Sequence, residues 1–230
     1  MNVAIITARG GSKRIPRKNI RDFCGKPIIS YSIKTALESN LFDDVMVSTE
    51  DIEIAVVAER YGAHVPFMRS VQNASDNASS EDVVLEVVSE YARRNVDIGI
   101  ICCIYPTAPL ISREILIKAH NQFVAQHADA LLPVVQFSYP PQRALLNKNG
   151  CLSFQWKQYA ESRSQDLEPL YHDAGAFYFI KTEVLKREHT LIPATAKAFI
   201  LDELHVQDID NISDWKLAEI KYQWLMSHDE

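Results

Sequence analysis

The 230-residue sequence lacks most of the signatures by which a chain declares its chemistry. No apolar run approaches the roughly 18 residues that a membrane span needs, and Met1 is followed almost at once by a charged loop rather than an apolar leader core. A soluble cytoplasmic protein with no membrane partner is expected. Cys24, Cys102, Cys103 and Cys151 form neither a CxxC pair nor a disulfide-scaffold spacing. Cys102 and Cys103 fall inside an apolar run and read as structural thiols. The seven histidines make no HExxH or other close ligand pattern, which argues against a zinc site. Excess positive charge is also missing: 24 Lys and Arg against 30 Asp and Glu leave a net charge of -6, so nucleic acid is not an expected partner. Neither GxxxxGK[ST] nor GxGxxG occurs, which disfavours a P-loop ATPase and a dinucleotide fold.

What is present is a βα rhythm over about the first 135 residues. Strand signals VAIITA (Val3 to Ala8), DVMVST (Asp44 to Thr49), IGIICCIY (Ile98 to Tyr105) and ADALLPVVQ alternate with helix signals. The helices are PIISYSIKTALES (Pro27 to Ser39) with Pro27 in its first turn, DIEIAVVAERYGA, EDVVLEVVSEYARR (Glu81 to Arg94) and SREILIKAHNQFVAQ. The central strand IGIICCIY is too apolar to have a wet face, and with the βα rhythm this gives the fold class α/β, a Rossmann-like mostly parallel sheet with helices on both faces. The rhythm breaks after Arg143, where LLNKNGCLSFQW predicts two short strands around an Asn-Gly turn, followed by a polar segment. One domain spanning 1–230 is expected, with an inserted lobe at about 138–172. The core resumes with AGAFYFIK (Ala174 to Lys181) and AFILDELHVQDID. It ends in a helix whose Trp215, Leu217, Ile220 and Trp224 recur at helical spacing.

In an open parallel sheet, ligands bind at the carboxyl ends of the strands, and the loop after the first strand is the usual phosphate loop. ARGGSKRIPRKN (Ala8 to Asn19) occupies that place in an otherwise acidic chain. Gly10 and Gly11 let the backbone approach a ligand and expose amides, while Arg9 and Lys18 bring positive charge to phosphate oxygens. The alternative is a solvated basic loop. Asp208 and Asp210 stand two apart at the end of a predicted strand, where both carboxylates point to one side and suit Mg²⁺ completed by substrate oxygens; caps for the final helix are the competing role. Arg69 reads equally as a surface arginine or a pyrimidine-edge donor, and Ser79 or Ser80 as a cap for the helix starting at Glu81.

ARGGSKRIPRKNI resembles the signature of the cytidylyltransferases that activate nonulosonic acids, the CMP-sialic acid synthetase-like family, and the resemblance spans nearly the whole chain. It implies a nucleotide-diphospho-sugar transferase type of fold and a Mg²⁺-dependent nucleotidyltransferase. CTP and a nine-carbon sugar acid would give a CMP-sugar and pyrophosphate. It places nucleotide contacts at Ala8, Arg9, Gly10, Gly11, Ser12, Lys18 and Asn19, with Lys13, Arg14 and Arg17 shaping the local field. VPFMRS and DNASS are similar to the segment holding cytosine and ribose, which carries over Arg69 and Ser80. Arg9, Lys18 and Asp210 would be catalytic, and Asp208 and Asp210 would hold the metal.

The sugar side is implied in the same way. YPTAP has Tyr105 where members acting on sialic acid have glutamine, a departure that weakens sialic acid itself as the substrate. RSQDLEP resembles the segment whose arginine faces the sugar carboxylate, giving Arg163 and Gln165, with Arg143 a second candidate and Phe177 and Tyr178 lining the sugar pocket. CCIYPTAP, SYPPQRAL and RSQDLEPLYHDAG look most like members specific for pseudaminic acid, a bacterial sugar used on flagellin, with legionaminic and sialic acids as alternatives. The inserted lobe resembles the family's dimerisation lobe, so a homodimer is implied. From other classes, a GT-A-like glycosyltransferase and a non-catalytic CTP-binding regulator remain open.

Overall fold

β1 (Asn2–Thr7) shows why the sheet forms where it does: Val3, Ala4, Ile5 and Ile6 are all without solvent exposure, so both faces must be covered. The computed structural model describes residues 1–228. After β1 come a small hairpin of β2 (Asp22–Phe23) and β3 (Lys26–Pro27), then α1 (Ile29–Ser39), β4 (Asp44–Ser48), α2 (Ile52–Arg60), α3 (Ser80–Arg93) and β5 (Ile100–Ile104). The chain continues through α4 (Arg113–Ala125), β6 (Ala130–Gln136), the hairpin of β7 (Leu145–Lys148) and β8 (Cys151–Phe154), and β9 (Tyr171–Asp173). It closes with β10 (Phe177–Lys181), α5 (Thr182–Glu188), β11 (Lys197–Ile200) and α6 (Ile212–His228).

Among the described residues the main sheet runs β11-β6-β10-β5-β1-β4, with β9 paired to β6. β1 pairs in parallel with both β4 and β5, so the chain leaves β1 on one side and returns on the other. That reversal of strand order opens a crevice beyond the carboxyl ends of β1 and β5. β10 is antiparallel to β5 and to β6, and β9 is antiparallel to β6, which makes the sheet mixed.

Period-2 alternation divides the core between two faces. Ala4 and Ile6 of β1, Cys102 and Ile104 of β5, and Phe177 and Phe179 of β10 pack with Ile29 and Ile33 of α1 and Leu116 and Phe123 of α4. Val3, Ile5, Cys103, Tyr178 and Ile180 face Val84, Val87 and Tyr91 of α3 and Leu185 of α5. Phe179 touches the rings of Phe42, Phe123 and Phe177, and burying a side chain of this size contributes roughly 1.5–3 kcal/mol. A third cluster joins Ile15, Phe23, Ile28, Ile209, Trp215 and Ala218, packing the loop after β1 against the segment before α6.

Three local expectations are corrected. Pro27 belongs to β3 rather than to a helical first turn, and α1 starts at Ile29. No strand carries Asp208 and Asp210; residues 206–210 are irregular. The buried face of α6 is Trp215, Ala218 and Leu225, while Leu217, Ile220 and Trp224 lie on an outer stripe at 45%, 61% and 45% exposure. Both triads have helical spacing, and the packing of Trp215 against Phe23, at 5.6 Å between ring centroids, selects which one turns inward. The predicted hairpin forms, with Asn149 and Gly150 at φ 53° and 86°, as a type I′ turn requires.

Candidate active site

The loop after β1 is built by ion pairs and close backbone contact. Arg17 has φ 55°, a left-handed conformation that is costly for a side chain of its size. Its guanidinium holds it there, donating to Asp51 Oδ2 at 2.5 Å and Oδ1 at 2.9 Å and to Glu53 Oε2 at 2.6 Å. The hydrogen bond from Arg17, ahead of other causes, lowers the Asp51 carboxyl from its ordinary 3.8 to about 2. The same carboxylate caps α2 by accepting from Ile54 N. Gly10 lies so near it that a Cβ there would be 2.5 Å from Asp51 Oδ2. The Gly10 amide donates to Glu50 Oε1 at 2.6 Å, and Asn19 Nδ2 donates to the Arg9 carbonyl at 2.8 Å.

The reversal at Arg17 turns Lys18 and Asn19 toward a cavity of about 500 Å³ at the crevice beyond β1 and β5. Arg9, Ser12, Lys13, Arg14, Lys18 and Asn19 line one side; Arg69, Ser80, Tyr105 and Thr107 line the rest, with Asp210 at the edge. Lys18 Nζ donates to the carbonyl of Ile209, between the two aspartates, at 2.7 Å. Burial lowers the pKa of Lys18, opposed by Asp210 and Asp208. Arg14 donates to Asp210 Oδ1 at 2.5 Å. Partial burial, then the like charge of Asp210, raises the pKa of the Asp208 carboxyl. Asp214 Oδ2 accepts from the amides of Asp210 and Asn211, both at 2.9 Å, and Lys221 Nζ donates to the carbonyls of Glu203 and Val206. The Asp-x-Asp segment is thus held from both sides. Asn211 takes the capping role, accepting from Ser213 N and Asp214 N, which leaves the side chains of Asp208 and Asp210 out of the cap.

On the opposite wall, Arg69 is buried, with Nε donating to Ser48 Oγ at 3.0 Å and Nη2 to the Ser48 carbonyl at 2.5 Å. Nη1 stands 3.9 Å from Glu50 Oε2. Burial lowers the arginine pKa and Glu50 opposes it. Ser79 caps α3 in a reciprocal capping box with Asp82, which frees Ser80 to meet Tyr105.

This is a crevice with cations on one wall, the Asp210 carboxylate at its edge and a fixed arginine opposite; Asp208 is not among the residues that border it. The sequence matches the family described as Cytidylyltransferase over residues 3–199, most of the chain. The chain belongs to that family. It is 44% identical over 223 residues to a pseudaminic acid cytidylyltransferase of Campylobacter jejuni subsp. jejuni serotype O:2, covering 96% of each. It is 30% identical over 226 residues to a CMP-N,N'-diacetyllegionaminic acid synthase of Legionella pneumophila subsp. pneumophila, covering 94% of each. Its fold is that of CMP:2-keto-3-deoxy-manno-octonic acid synthetase solved with CTP. The TM-score is 0.71 at 17% identity, over 100% of this chain and 99% of the other.

For a cytidylyltransferase, the structure brings together most of the residues expected at the nucleotide. Arg9, Ser12, Lys18, Asn19, Arg69, Ser80, Tyr105 and Asp210 border one cavity. Some expected contacts are corrected. Ala8 is wholly buried in the core, its amide donating to the Ser48 carbonyl at 3.0 Å. Gly10 does not offer a free amide, because Glu50 has taken it; Gly11 is exposed. Phe177 has no exposure and packs in the core with Phe179, since period 2 puts it on the face opposite Tyr178. Tyr178 is buried behind Tyr105, with ring centroids 5.5 Å apart, rather than on the cavity wall. Arg143, Arg163 and Gln165 are on the inserted lobe and do not border the cavity of their own chain. Lys13 and Arg14, expected only to shape the field, line it.

Sequence reasoning missed the role of Asp76. Its Oδ1 accepts from Arg9 Nη1 at 2.7 Å, and its Oδ2 pairs with Lys13. Its partners are more than 60 residues away, so no local pattern marks the pairing.

Proposed function

We propose that this cytidylyltransferase transfers CMP from CTP to the nonulosonic acid pseudaminic acid, releasing pyrophosphate. The observation that carries it is the cavity that joins the cationic loop after β1, the Asp208–Asp210 segment and the buried Arg69. In this mechanism Arg9 and Lys18 lie against the triphosphate, where full positive charges stabilise the charge developing on the leaving pyrophosphate. Arg69, with its Nε and Nη2 committed to Ser48, presents Nη1 to the pyrimidine edge, and Ser80 meets the ribose side. The sugar hydroxyl attacks the α-phosphorus in line from the Tyr105 side, and holding both substrates in one cavity supplies much of the rate.

Asp208 and Asp210 fit magnesium. Both are hard carboxylate donors, and the like charge of Asp210, after partial burial, raises the Asp208 carboxyl, a repulsion that a bound cation would relieve. Two protein ligands completed by substrate oxygens suit this ion. Magnesium would supply positive charge to the triphosphate oxygens. Lys18 and Asp214 keep the two carboxylates in place by fixing the backbone around them. Pyrophosphate release from CTP with a panel of sugar acids tests the proposal, with pseudaminic acid expected to be turned over fastest.

A homodimer is part of the same proposal. All of β7 is exposed, and so are Cys151, Leu152 and Ser153 of β8; the two strands form a sheet of their own, and a two-stranded sheet alone is marginal in water. Leu145, Leu146 and Leu152 are the surface a second copy would cover, bringing Arg143, Arg163 and Gln165 toward the other copy's cavity. Sedimentation should give twice the chain mass, and Leu152→Asp should shift the species to the monomer. A monomeric wild type would remove this part of the proposal. No helix among the described residues is long and apolar enough to cross a membrane.

A further inference from the structure

A buried tyrosine hydroxyl needs a hydrogen-bond partner, and the partner of Tyr178 links the back of the cavity to the end of the inserted lobe. Tyr178 is 3% exposed, and its Oη donates to Asp173 Oδ2 at 2.7 Å. Asp173 is the last residue of β9, where the chain returns from the lobe, and its Oδ1 accepts from Gly175 N at 2.8 Å. On its other side Tyr178 packs against Tyr105, with ring centroids 5.5 Å apart and planes at 57°. The Tyr105 Oη and Ser80 Oγ are 3.3 Å apart, and both residues border the cavity. Asp173 and Tyr178 do not. Burial, then Tyr105 and Asp173, push the Tyr178 phenol well up, so it keeps the proton it donates.

We propose that Asp173 is a positioning residue for the sugar acid: by fixing Tyr178 it fixes the ring of Tyr105, whose hydroxyl stands in the cavity wall beside Ser80. The inference rests on the cavity being the transferase site. Tyr105 has two rotatable bonds and a polar tip, and one ring packed behind it selects its rotamer. Asp173 supplies two acceptor oxygens to two donors that come from different directions. Asparagine supplies one. The Gly175 amide can only donate and keeps the remaining oxygen, so the Asn amide faces the Tyr178 hydroxyl, which must turn to accept from it in an uncharged and weaker bond.

Three enzymes test this beside the wild type: Asp173→Asn, Tyr178→Phe and the double variant. KM for CTP and for the sugar acid is measured by pyrophosphate release, together with thermal melting. Asp173→Asn should raise the sugar-acid KM about five- to tenfold, the difference between a hydrogen bond to a charged group and one between neutral groups. The CTP KM should stay within about twofold, and the melting temperature should fall by no more than a few degrees, because the Gly175 bond survives and the Tyr178 hydroxyl still has the Asn amide as a partner. The double variant should be no worse than Tyr178→Phe alone, since Asp173 acts through that hydroxyl. Effects that multiply, or equal rises in both KM values, overturn the inference. A wild type that releases no pyrophosphate overturns the transferase proposal and the inference with it.

Discussion

Replacing Asp210 by alanine should cut turnover by at least about 100-fold, the scale on which single charge-stabilising groups act in transition states, while the fold remains intact. The two halves of that expectation have separate causes. The only ion pair among the described residues that uses the Asp210 side chain is with Arg14. It has side-chain exposures of 68% and 40%, and pairs this open contribute about 0–1 kcal/mol. The backbone of the segment does not depend on the lost carboxylate, because Asp214 holds the Asp210 amide and Lys18 the Ile209 carbonyl. What disappears is one of the two carboxylates proposed to hold a divalent cation at the edge of the cavity. Steady-state pyrophosphate release and a melting curve on the same preparation check it. Unchanged turnover would remove the metal role from Asp210.

Arg69→Lys should raise the KM for CTP about 10- to 100-fold and narrow the preference for CTP over UTP, although charge is conserved. A guanidinium can donate to Ser48 Oγ and to the Ser48 carbonyl while keeping Nη1 free for a base edge; an ammonium has three donors on one atom and no rigid fork. Glu50 Oε2 has no hydrogen-bond partner among the described residues and faces Nη1 at 3.9 Å. Shortening the side chain therefore also disturbs a carboxylate that anchors the Gly10 amide through its other oxygen. Initial rates with CTP and UTP for both enzymes decide the matter. An unchanged CTP to UTP ratio would mean that Arg69 does not read the base.

The βα units were legible because each strand and helix has a period that burial enforces locally. Ala4 and Ile6 against Val3 and Ile5 show it for β1, and Val83, Val84, Val87, Val88 and Tyr91 show it for α3. The direction of β10 was not, since an apolar strand reads the same whether it runs parallel or antiparallel to β5. The same ambiguity hid which of Phe177 and Tyr178 faces the cavity side, because alternation fixes that they differ but not which is which. On α6, two apolar triads compete for the inward face, and only the tertiary contact of Trp215 with Phe23 separates them.

In the candidate site, the cationic character of the loop after β1 was legible from charge and position, but the division of labour within it was not. Arg17 turns away to Asp51 and Glu53 and sets the loop's geometry, whereas Lys13 and Arg14 face the cavity. That sorting follows from partners 34 to 196 residues distant in sequence, as in the Arg17–Asp51 and Arg14–Asp210 pairs. Lys18 meets Ile209 across 191 residues, so its role in holding the Asp-x-Asp segment emerges only from the fold.

The most direct measurement is pyrophosphate release from CTP and Mg²⁺ with pseudaminic, legionaminic and N-acetylneuraminic acids supplied in parallel, with the CMP-sugar quantified in the same samples. The expected result is fastest release with pseudaminic acid, one CMP-sugar formed for each pyrophosphate, and no release when the sugar acid is omitted. No release above the CTP-only control with any of the three acids, or pyrophosphate without CMP-sugar, would contradict transfer of CMP to a nonulosonic acid.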